Sequence, residues 1–567
     1  MKNTASSHSS KTERSNRVLD NQYQPSKDFW ESDLILSFFL KKEFPEETWN
    51  YLQPFLSQLG KTAATIMDEL SLTADKHGPV LKKRNHLGET VNEIVFHPYY
   101  NELLKIAVES GLFKVKWSIE ARKNHGDYLH RMGFGLAFLY GMGDASVPCP
   151  LCMTDGAARL IDRYGRDEDK GRLLPHIYAD LVEELYTGAM FLTEKIGGSD
   201  VGANLVEANH QEGDYYLLNG EKWFCSNANA DLILVLARTK PEIEGTKGLS
   251  IFLVERQKPD GTTNEMDVIR LKEKLGVRSM ASAEILLTDT LGKRLGKEGE
   301  GFKIMTDMIN LSRLWNAVIA ISSYRRCLVE AYQFLSHRQT FGKKALEHAL
   351  VRTKLEELIA NYLADFYLTW KTIRTLDEGD NGNEKSRELV RILTPMVKKK
   401  TAETAVYGIR ESMELMGGLG YIEDTVIPKF MRDTLVLPIW EGAGNIMVLD
   451  MLRAIRKSDG LSILYSEMYK IFNESGKFED ELNKLENLMG AIENFKEMDQ
   501  DSLEASAKGI FEDLTRLYQI ALLKKAMVQE NEPWILPTIE YLQGRKKESH
   551  LISPLSVQQV KGMMGWR

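Results

Sequence analysis

The 567-residue sequence is poor in cysteine, has no long apolar run and lacks an excess of basic charge. Its four cysteines, Cys149, Cys152, Cys225 and Cys327, are too few to hold a chain of this size with disulfides, which predicts a reducing compartment, the cytoplasm. No stretch approaches about 18 uninterrupted apolar residues, so no membrane span is expected. The formal net charge is -8. A protein that binds nucleic acid mainly through phosphates should instead be basic overall or have a basic lobe.

One pair of cysteines has the spacing of half a metal site. Cys149 and Cys152 form a CxxC, but a structural zinc site needs two further ligands at matching spacing. The sequence holds neither a second CxxC nor an HxxxH pair. We therefore expect no metal, and we interpret the two thiols as buried side chains near the start of a helix.

Changes in the apolar period divide the chain into segments, in keeping with the three or four domains expected at roughly 150 residues each. Residues 1–26 are rich in Ser, Asn, Lys and Arg, which predicts a disordered tail. Residues 27–187 have mostly helical periodicity. From 188 to 295 the period changes to two, which predicts a β domain. Within it, Asn219 and Gly220 predict a hairpin turn, because this dipeptide tolerates the positive φ of a tight primed turn.

The remaining chain is predicted to be helical. Residues 296–457 should form a bundle in which a long helix ends near His337, a second helix runs through Leu363, and later helices are interrupted near Pro395. Residues 458–567 are charged and amphipathic, and we interpret them as a separate helical extension.

Four short segments combine the residue types that a cofactor site needs. Residues 191–200 offer two hydroxyls and adjacent glycines, which let a backbone approach a planar or anionic ligand. Residues 222–227 place two aromatic rings on a strand, and residues 417–421 are rich in glycine. In residues 439–446, Glu441 stands between an indole and small residues. Desolvation there would raise the pKa of the carboxyl and strengthen it as a base.

Each segment taken alone also has an ordinary interpretation. The first is more often only a turn. An aromatic pair on a strand is more often part of a core, and a lone glutamate in a turn is more often exposed. No single segment therefore carries a function.

In this order the four segments resemble those of the acyl-CoA dehydrogenase superfamily, over about residues 90–455. LTEKIGGSD is similar to the family's LTEPxxGSD signature, with Lys195 in place of proline. KWFCSNA is similar to the strand whose tryptophan walls the flavin, and IWEGAGN occupies the place of the family's YEGT run. The Phe96-His-Pro run, the CPLCMT run that starts at Cys149, and Trp440 before the glutamate look like the AidB-like branch, which is linked to the alkylation response.

The resemblance implies an α+β multidomain fold with an N-terminal helical domain, a middle β-barrel and a C-terminal four-helix bundle. The AidB-like branch adds an extra C-terminal helical domain, which suits the extension. The resemblance also implies FAD as the cofactor and a homo-oligomer, with a tetramer as the expected state.

The resemblance implies a role for each matching residue. Glu441 is implied as the catalytic base, and Arg313 and Trp440 as substrate-binding residues. In the first two segments the implied FAD-binding residues are Met190, Leu192, Thr193, Gly198, Ser199, Trp223, Phe224 and Cys225. In the bundle they are Arg338, Phe341, Gly417, Gly418, Trp440, Gly442 and Asn445. Arg338 is implied to reach the flavin pyrophosphate of a neighbouring subunit.

The implied reaction removes a proton and a hydride from adjacent carbons of an acyl-CoA thioester, and an electron-transfer flavoprotein accepts the electrons. Glu441 takes the α-proton and flavin N5 the β-hydride, while the backbone N–H of Glu441 and a ribityl hydroxyl bind the thioester carbonyl. The alternative base that some members carry is absent, because Ser312 precedes Arg313. Asn310 stands where straight-chain enzymes often have an Asp that serves CoA, and Glu414 where many have a flavin-contacting Gln.

A second hypothesis is an AidB-like flavoprotein that binds DNA through its C-terminal domain. Residues 458–567 hold 13 basic and 18 acidic side chains, which disfavours binding through phosphates. A local basic face is the exception, and its candidates are Lys524, Lys525, Arg545, Lys546, Lys547, Arg453 and Arg456. Dehydrogenation is therefore favoured, with DNA binding as the alternative.

Overall fold

The computed structural model describes residues 26–474, 478–544 and 553–567. Residues 1–25 of the predicted tail lie outside the described residues, as do three members of the predicted basic face, Arg545, Lys546 and Lys547.

The N-terminal part consists of helices and one β-hairpin. Its helices are α1 (Phe29–Ser32), α2 (Leu34–Glu43), α3 (Glu46–Thr65), α4 (Met67–Lys76), α5 (Pro98–Glu109), α6 (Lys114–Trp117), α7 (Ile119–Asn124), α8 (Leu129–Gly143), α9 (Pro148–Tyr164) and α10 (Asp167–Ile177). The antiparallel strands β1 (Val80–Arg84) and β2 (Thr90–Val95) were not predicted. They are short, most of their residues are exposed, and they lie within a segment of mostly helical periodicity. Helices α8 and α9 are almost wholly buried, and α9 lines the candidate site.

The middle part is a closed β-barrel. Its strands are β3 (Gly188–Phe191), β4 (Glu207–His210), β5 (Tyr215–Ser226), β6 (Leu232–Arg238), β7 (Leu249–Glu255), β8 (Met266–Leu271) and β9 (Ser282–Leu295). The ring runs β6, β4, β5, β9, β7 and back to β6, while β3 pairs in parallel with β6, and β8 pairs with β9. A separate apolar cluster fills the barrel.

The hairpin predicted at Asn219 and Gly220 is wrong. Strand β5 continues through both residues, paired with β4 on one side and β9 on the other. The pairing with β9 shifts between Leu218 and Gly220, and Gly220 has a φ of 135°. A Cβ on Gly220 would stand 2.9 Å from a methyl group of Val206. The glycine therefore permits a bulge and a close approach within one long strand rather than a turn.

The C-terminal half begins with three long helices, α11 (Gly301–His337), α12 (Ala349–Asp380) and α13 (Glu384–Leu415). A small hairpin, β10 (Gln339–Thr340) with β11 (Lys343–Lys344), joins the first two. Helix α12 extends well beyond the predicted end at Leu363. Helix α13 continues through Pro395 without the predicted break, because the packing of α13 on α11 and α12 outweighs the loss of one backbone donor. Three shorter helices follow, α14 (Gly418–Tyr421), α15 (Val426–Thr434) and α16 (Gly444–Lys457), and α16 completes the bundle beside α13.

The extension packs against the bundle rather than standing apart from it. Its helices are α17 (Gly460–Asn473), α18 (Glu479–Glu493), α19 (Gln500–Gln529), α20 (Ile535–Leu542) and α21 (Val557–Met564), and they contact α12, α13 and α16. The chain end then returns to the N-terminal helices, where Arg567 N donates to Ser32 O at 3.0 Å. Beneath it, Arg325 and Asp33 form an ion pair with no solvent exposure.

A buried ion cluster joins the three main parts. Lys429 on α15 donates to Asp144 at 2.9 Å and to Asp433 at 2.6 Å. Asp433 also accepts from the backbone N–H of Val277 in the barrel, at 2.6 Å. The cluster fixes α15 against both other parts, just before the segment that carries Glu441. The predicted fold class is confirmed: helical part, β-barrel, helical bundle and helical extension. Within the described ranges, no helix is long and apolar enough to cross a membrane.

Candidate active site

Glu441 lies in a sharp turn between α15 and α16. Its φ is 57°, and the φ of Gly442 is 98°. Two successive residues in the left-handed region reverse the chain within a few bonds, and a non-glycine residue in that region is uncommon and associated with functional sites. The turn directs the Glu441 side chain inward, toward helices α9 and α11.

The Glu441 carboxyl faces a small cavity of about 30 Å³ between α9 and α11. That volume is enough for about one or two water molecules. The walls are mainly apolar, with two thiols and a few polar groups. The lining residues are Ala145, Pro148, Cys149, Cys152, Met153, Ser312, Trp315, Asn316, Ile319, Leu437, Trp440 and Glu441.

Hydrogen bonds hold both the carboxyl and the backbone of the turn. The Ser312 hydroxyl donates a hydrogen bond to Glu441 Oε2. Arg313 Nε donates to Glu441 O at 3.0 Å, and Lys398 Nζ donates to Gly442 O at 2.6 Å. Arg313 is itself held by an ion pair with Asp450, at 2.5 Å. The turn is therefore fixed by two cations that bind its carbonyl groups.

The electrostatic surroundings tune Glu441 as a base. Burial raises the pKa of its carboxyl, while the Ser312 hydrogen bond and the charges of Arg313 and Lys398 counteract part of that rise. Burial also lowers the pKa of Lys398 to about 8. A carboxylate with a raised pKa accepts a proton more readily than an exposed one, and the two cations favour its ionised form against the effect of burial.

The two thiols of the CxxC lie in the wall of this cavity. As predicted, Cys149 and Cys152 are buried and belong to the first turns of a helix, which begins at Pro148. Burial raises the pKa of Cys149 to about 12 and raises that of Cys152 as well. Both are therefore neutral, small and apolar wall groups.

The first motif follows a strand that begins beside the wall of this cavity. Met153 lines the cavity, and the hydroxyl of the next residue, Thr154, accepts from Gly188 N at 2.9 Å, where β3 starts. Strand β3 leads through Met190 to Leu192 and Thr193, all half-buried. Gly198 and Ser199 follow in an exposed loop. A Cβ on Gly198 would stand 3.0 Å from the Thr193 hydroxyl, so glycine keeps this hydroxyl accessible.

The second motif lies beside the first. Trp223 N donates to Thr193 O at 2.9 Å, which sets the half-buried indole next to the signature loop. The two rings do not alternate across the strand, since the pairing with β9 shifts between Lys222 and Cys225. Lys272 Nζ therefore lies over both rings, 3.5 Å from the centre of Trp223 and 4.5 Å from that of Phe224. The side chain of Cys225 is buried in the barrel core instead.

The other predicted cofactor residues of the bundle are exposed and do not line the Glu441 cavity. Arg338 and Phe341 belong to the β10–β11 hairpin, and the Phe341 side chain is 98% exposed. Gly417 and Gly418 begin the short helix α14 with open space around them. Asn445 is exposed at the start of α16, three residues after Gly442. Among these, Arg338 is the residue that the resemblance implies for the flavin of a neighbouring subunit, and it is exposed.

Several site residues were not predicted from the sequence. The sequence shows Ser312 only as the absence of a second base, and it does not distinguish Trp315, Asn316 and Lys398 from other helical residues. Asn316 accepts from Trp440 Nε1 at 3.4 Å and donates to Leu437 O at 3.0 Å, so it connects α11 to the turn. Ser312 and Asn316 are four residues apart and therefore share one face of the helix, and this spacing is the sequence signal that could have indicated them.

One residue of the predicted basic face of the extension, Lys524, does not lie on the surface. Lys524 is 1% exposed, and its Nζ lies 3.6 Å from the ring centre of Phe478. Burial lowers its pKa to about 8. Lys524 is therefore part of the interior and cannot contact a phosphate backbone.

Comparisons with known proteins agree with the motifs. Family profiles match residues 21–179 (adaptive response protein AidB N-terminal domain), 189–290 (acyl-CoA dehydrogenase, middle domain) and 299–456 (acyl-CoA dehydrogenase, C-terminal domain). AidB of Escherichia coli strain K12 is 31% identical over 424 residues, which cover 73% of this chain and 76% of that protein. Acyl-CoA dehydrogenase family member 11 of Caenorhabditis elegans is 28% identical over 502 residues, covering 87% and 81%.

Solved structures agree as well. The structure of Caenorhabditis elegans ACDH-11 in complex with C11-CoA has a TM-score of 0.85 at 26% identity, and the match covers 95% of this chain and 94% of that one. The Bd2924 apo-form has a TM-score of 0.82 at 30% identity, covering 89% and 99%.

Proposed function

Because the chain belongs to the acyl-CoA dehydrogenase family, in its AidB branch, we propose that Glu441 is the base that removes the α-proton of an acyl-CoA thioester. The protein is an acyl-CoA dehydrogenase with FAD as its cofactor. The observation that carries the mechanism is the inward Glu441 carboxyl, which faces a small apolar cavity and is hydrogen-bonded by Ser312.

The described residues fit a flavin beside this cavity. Trp223 offers a ring face next to Thr193, whose hydroxyl makes no hydrogen bond within the described part of the chain. Gly198 leaves the space in front of that hydroxyl open. Met190, Leu192, Ser199 and Phe224 complete this face, and Arg338, Phe341, Gly417 and Gly418 would serve a flavin across a subunit interface. When bound, the flavin accepts the β-hydride, which is chemistry that no side chain can supply.

The residues of the chain supply the base and the oxyanion donor. Glu441 Oε2 takes the α-proton, and the positive charges of Arg313 and Lys398 favour the ionised form of the carboxyl against the effect of burial. The backbone N–H of Glu441 makes no hydrogen bond within the described ranges, so it is free to donate to the thioester carbonyl. Such a donor stabilises the enolate-like charge that develops on that oxygen. Arg313 acts as a positioning residue, since its guanidinium is occupied by Asp450 and by the backbone of the turn.

The apolar walls of the cavity suit the α- and β-carbons of an acyl group. Trp315 and Trp440 both line it, and Trp315 is fixed by donation to Asp155 at 2.8 Å. For the electrons, we propose an electron-transfer flavoprotein as the acceptor.

The test is single-turnover reduction of the FAD-loaded protein under anaerobic conditions, with a panel of acyl-CoA thioesters from short to long. We expect at least one thioester of the panel to bleach the flavin absorbance of the wild type. Glu441→Gln should retain FAD but stop the bleaching, since an amide of nearly equal shape cannot accept a proton. Unchanged reduction in Glu441→Gln would place the base elsewhere. A matched control is Glu120→Gln, because Glu120 is exposed and outside the cavity.

A further inference from the structure

A second, larger cavity lies outside the Glu441 site. Its volume is about 350 Å³, and it is bounded by α9, α11, the end of α12 and the first half of α13. That volume is at the lower end of the range for small-molecule sites. It shares no lining residue with the Glu441 cavity. Leu311, Leu314, Leu376 and Val390 give it an apolar interior.

Two carboxylates in this cavity are already neutralised. Asp380 accepts from Arg159 at 2.6 and 3.1 Å and from Arg163 at 2.6 Å. Asp307 accepts from Arg163 at 3.2 Å. Burial disfavours the charged form of Asp380, but hydrogen bonds from His130 and Arg159 outweigh it and leave its pKa well below the usual range. Both carboxylates are thus balanced by the two guanidiniums of α9.

Two more arginines add an excess of positive charge at the mouth. Arg387 and Arg391 are exposed, four residues apart on one face of α13. Among the described residues, Arg387 donates only to the carbonyl of Gly379, at 2.8 Å, and Arg391 only to that of Lys457, at 3.3 Å. Neither therefore has a carboxylate partner in that part of the chain. With four guanidiniums and two carboxylates, the lining carries a net charge of +2.

One buried donor in the lining also lacks an acceptor. Arg159 is only 6% exposed, and its Nε makes no hydrogen bond to any described residue. A buried, charged donor without an acceptor is costly, and in a native protein it often marks a site for a ligand or an ordered water.

We propose that this cavity is a second ligand site, for an amphiphilic anion. A carboxylate or phosphate group binds Arg387 and Arg391 at the mouth, where guanidinium groups match the geometry of such anions. A short hydrocarbon part lies against Leu311, Leu314 and Leu376. The site is connected to the turn that carries Glu441, because Asn310 lines this cavity and accepts from Arg313 Nη1 at 3.1 Å, while Arg313 Nε donates to the carbonyl of Glu441.

An anionic group joined to a hydrocarbon part occurs both in a free anionic amphiphile and in a CoA thioester. The test therefore distinguishes these two ligands. Hexyl phosphate is titrated into the FAD-loaded protein by calorimetry, alone and with saturating coenzyme A. We expect one binding site per chain whose affinity is unchanged by coenzyme A. Inorganic phosphate should bind at least about tenfold more weakly, because it buries no hydrocarbon.

Variants at the mouth provide the second arm. The double variant Arg387→Ala/Arg391→Ala should weaken hexyl phosphate by about tenfold or more, and the double lysine variant should restore part of the affinity. The matched control is Arg84→Ala, an exposed arginine that likewise donates to one glycine carbonyl, that of Gly88. Equal affinity of wild type and the alanine double variant would overturn the proposal. Absence of binding would also overturn it, and so would displacement by coenzyme A, which would assign the cavity to the thioester.

Discussion

Substitution of Ser312 by alanine should shift the pH dependence of the reaction rather than abolish the reaction. The Ser312 hydroxyl is within hydrogen-bonding distance of both Glu441 Oε2 and the carbonyl of Ile309, the latter at 2.8 Å. A hydroxyl has one proton, so it cannot donate to both acceptors at once. When Glu441 is ionised, the hydroxyl donates to the carboxylate. When Glu441 carries the abstracted proton, the Ser312 oxygen accepts a hydrogen bond from the protonated carboxyl. The hydroxyl then donates its own proton in a hydrogen bond to Ile309 O.

The expected size of the shift follows from this exchange of roles. A hydrogen bond to a charged group contributes about 1.5–3 kcal/mol, and one between neutral groups about 0.5–1.5 kcal/mol. When the hydroxyl is removed, the ionised form of Glu441 therefore loses roughly 1–1.5 kcal/mol more hydrogen-bond stabilisation than the protonated form. At about 1.4 kcal/mol per pH unit, the acid limb of the rate profile should move up by about one pH unit. The sign is fixed, because loss of a bond that favours the carboxylate raises its pKa.

The assay is the rate of anaerobic flavin reduction by one saturating acyl-CoA, measured across pH in wild type and Ser312→Ala. The variant should be about tenfold slower below the apparent pKa and nearly equal to wild type on the alkaline plateau. Ser322→Ala is the control, because Ser322 lies on the same helix, is fully buried and bonds the carbonyl three residues earlier, but does not touch Glu441. An acid limb that stays in place or moves to lower pH would refute this assignment of Ser312.

Two further predictions concern assembly and stability. Arg338→Ala should lower the FAD content of the desalted protein without lowering its melting temperature, whereas the control Lys343→Ala, on strand β11, should retain FAD. Light scattering of the wild type should give a tetramer. A monomer with full FAD would contradict the cross-subunit role of Arg338. Asp33→Ala should lower the free energy of unfolding by about 3–5 kcal/mol, because it leaves Arg325 buried without its carboxylate. Asp68→Ala should lower the free energy of unfolding by less, since Arg326, which pairs with Asp68, keeps its second partner Glu330. Equal losses of the two variants in urea unfolding would contradict this.

The order of helical, β and helical parts could be predicted because it depends on local periodicity. The errors within it came from tertiary packing. Gly220 was interpreted as part of a turn, but strands on both sides of β5 hold it in an extended strand with a bulge. Pro395 was interpreted as a break, but it is buried in a helix that packs on two others. In both cases the local signal was real, and contacts with residues distant in sequence outweighed it.

The candidate base could be predicted for a different reason. Glu441 stands in a motif whose glycines and indole are adjacent in sequence, so the motif itself preserves the geometry. Its hydrogen-bond partners could not be predicted in the same way, because Ser312 and Lys398 come from two helices that meet the turn only in the folded chain. Local sequence thus predicts the candidate base, while packing determines the pKa of its carboxyl. A relative that keeps the motif and replaces Ser312 should therefore keep the reaction but differ in its pH range.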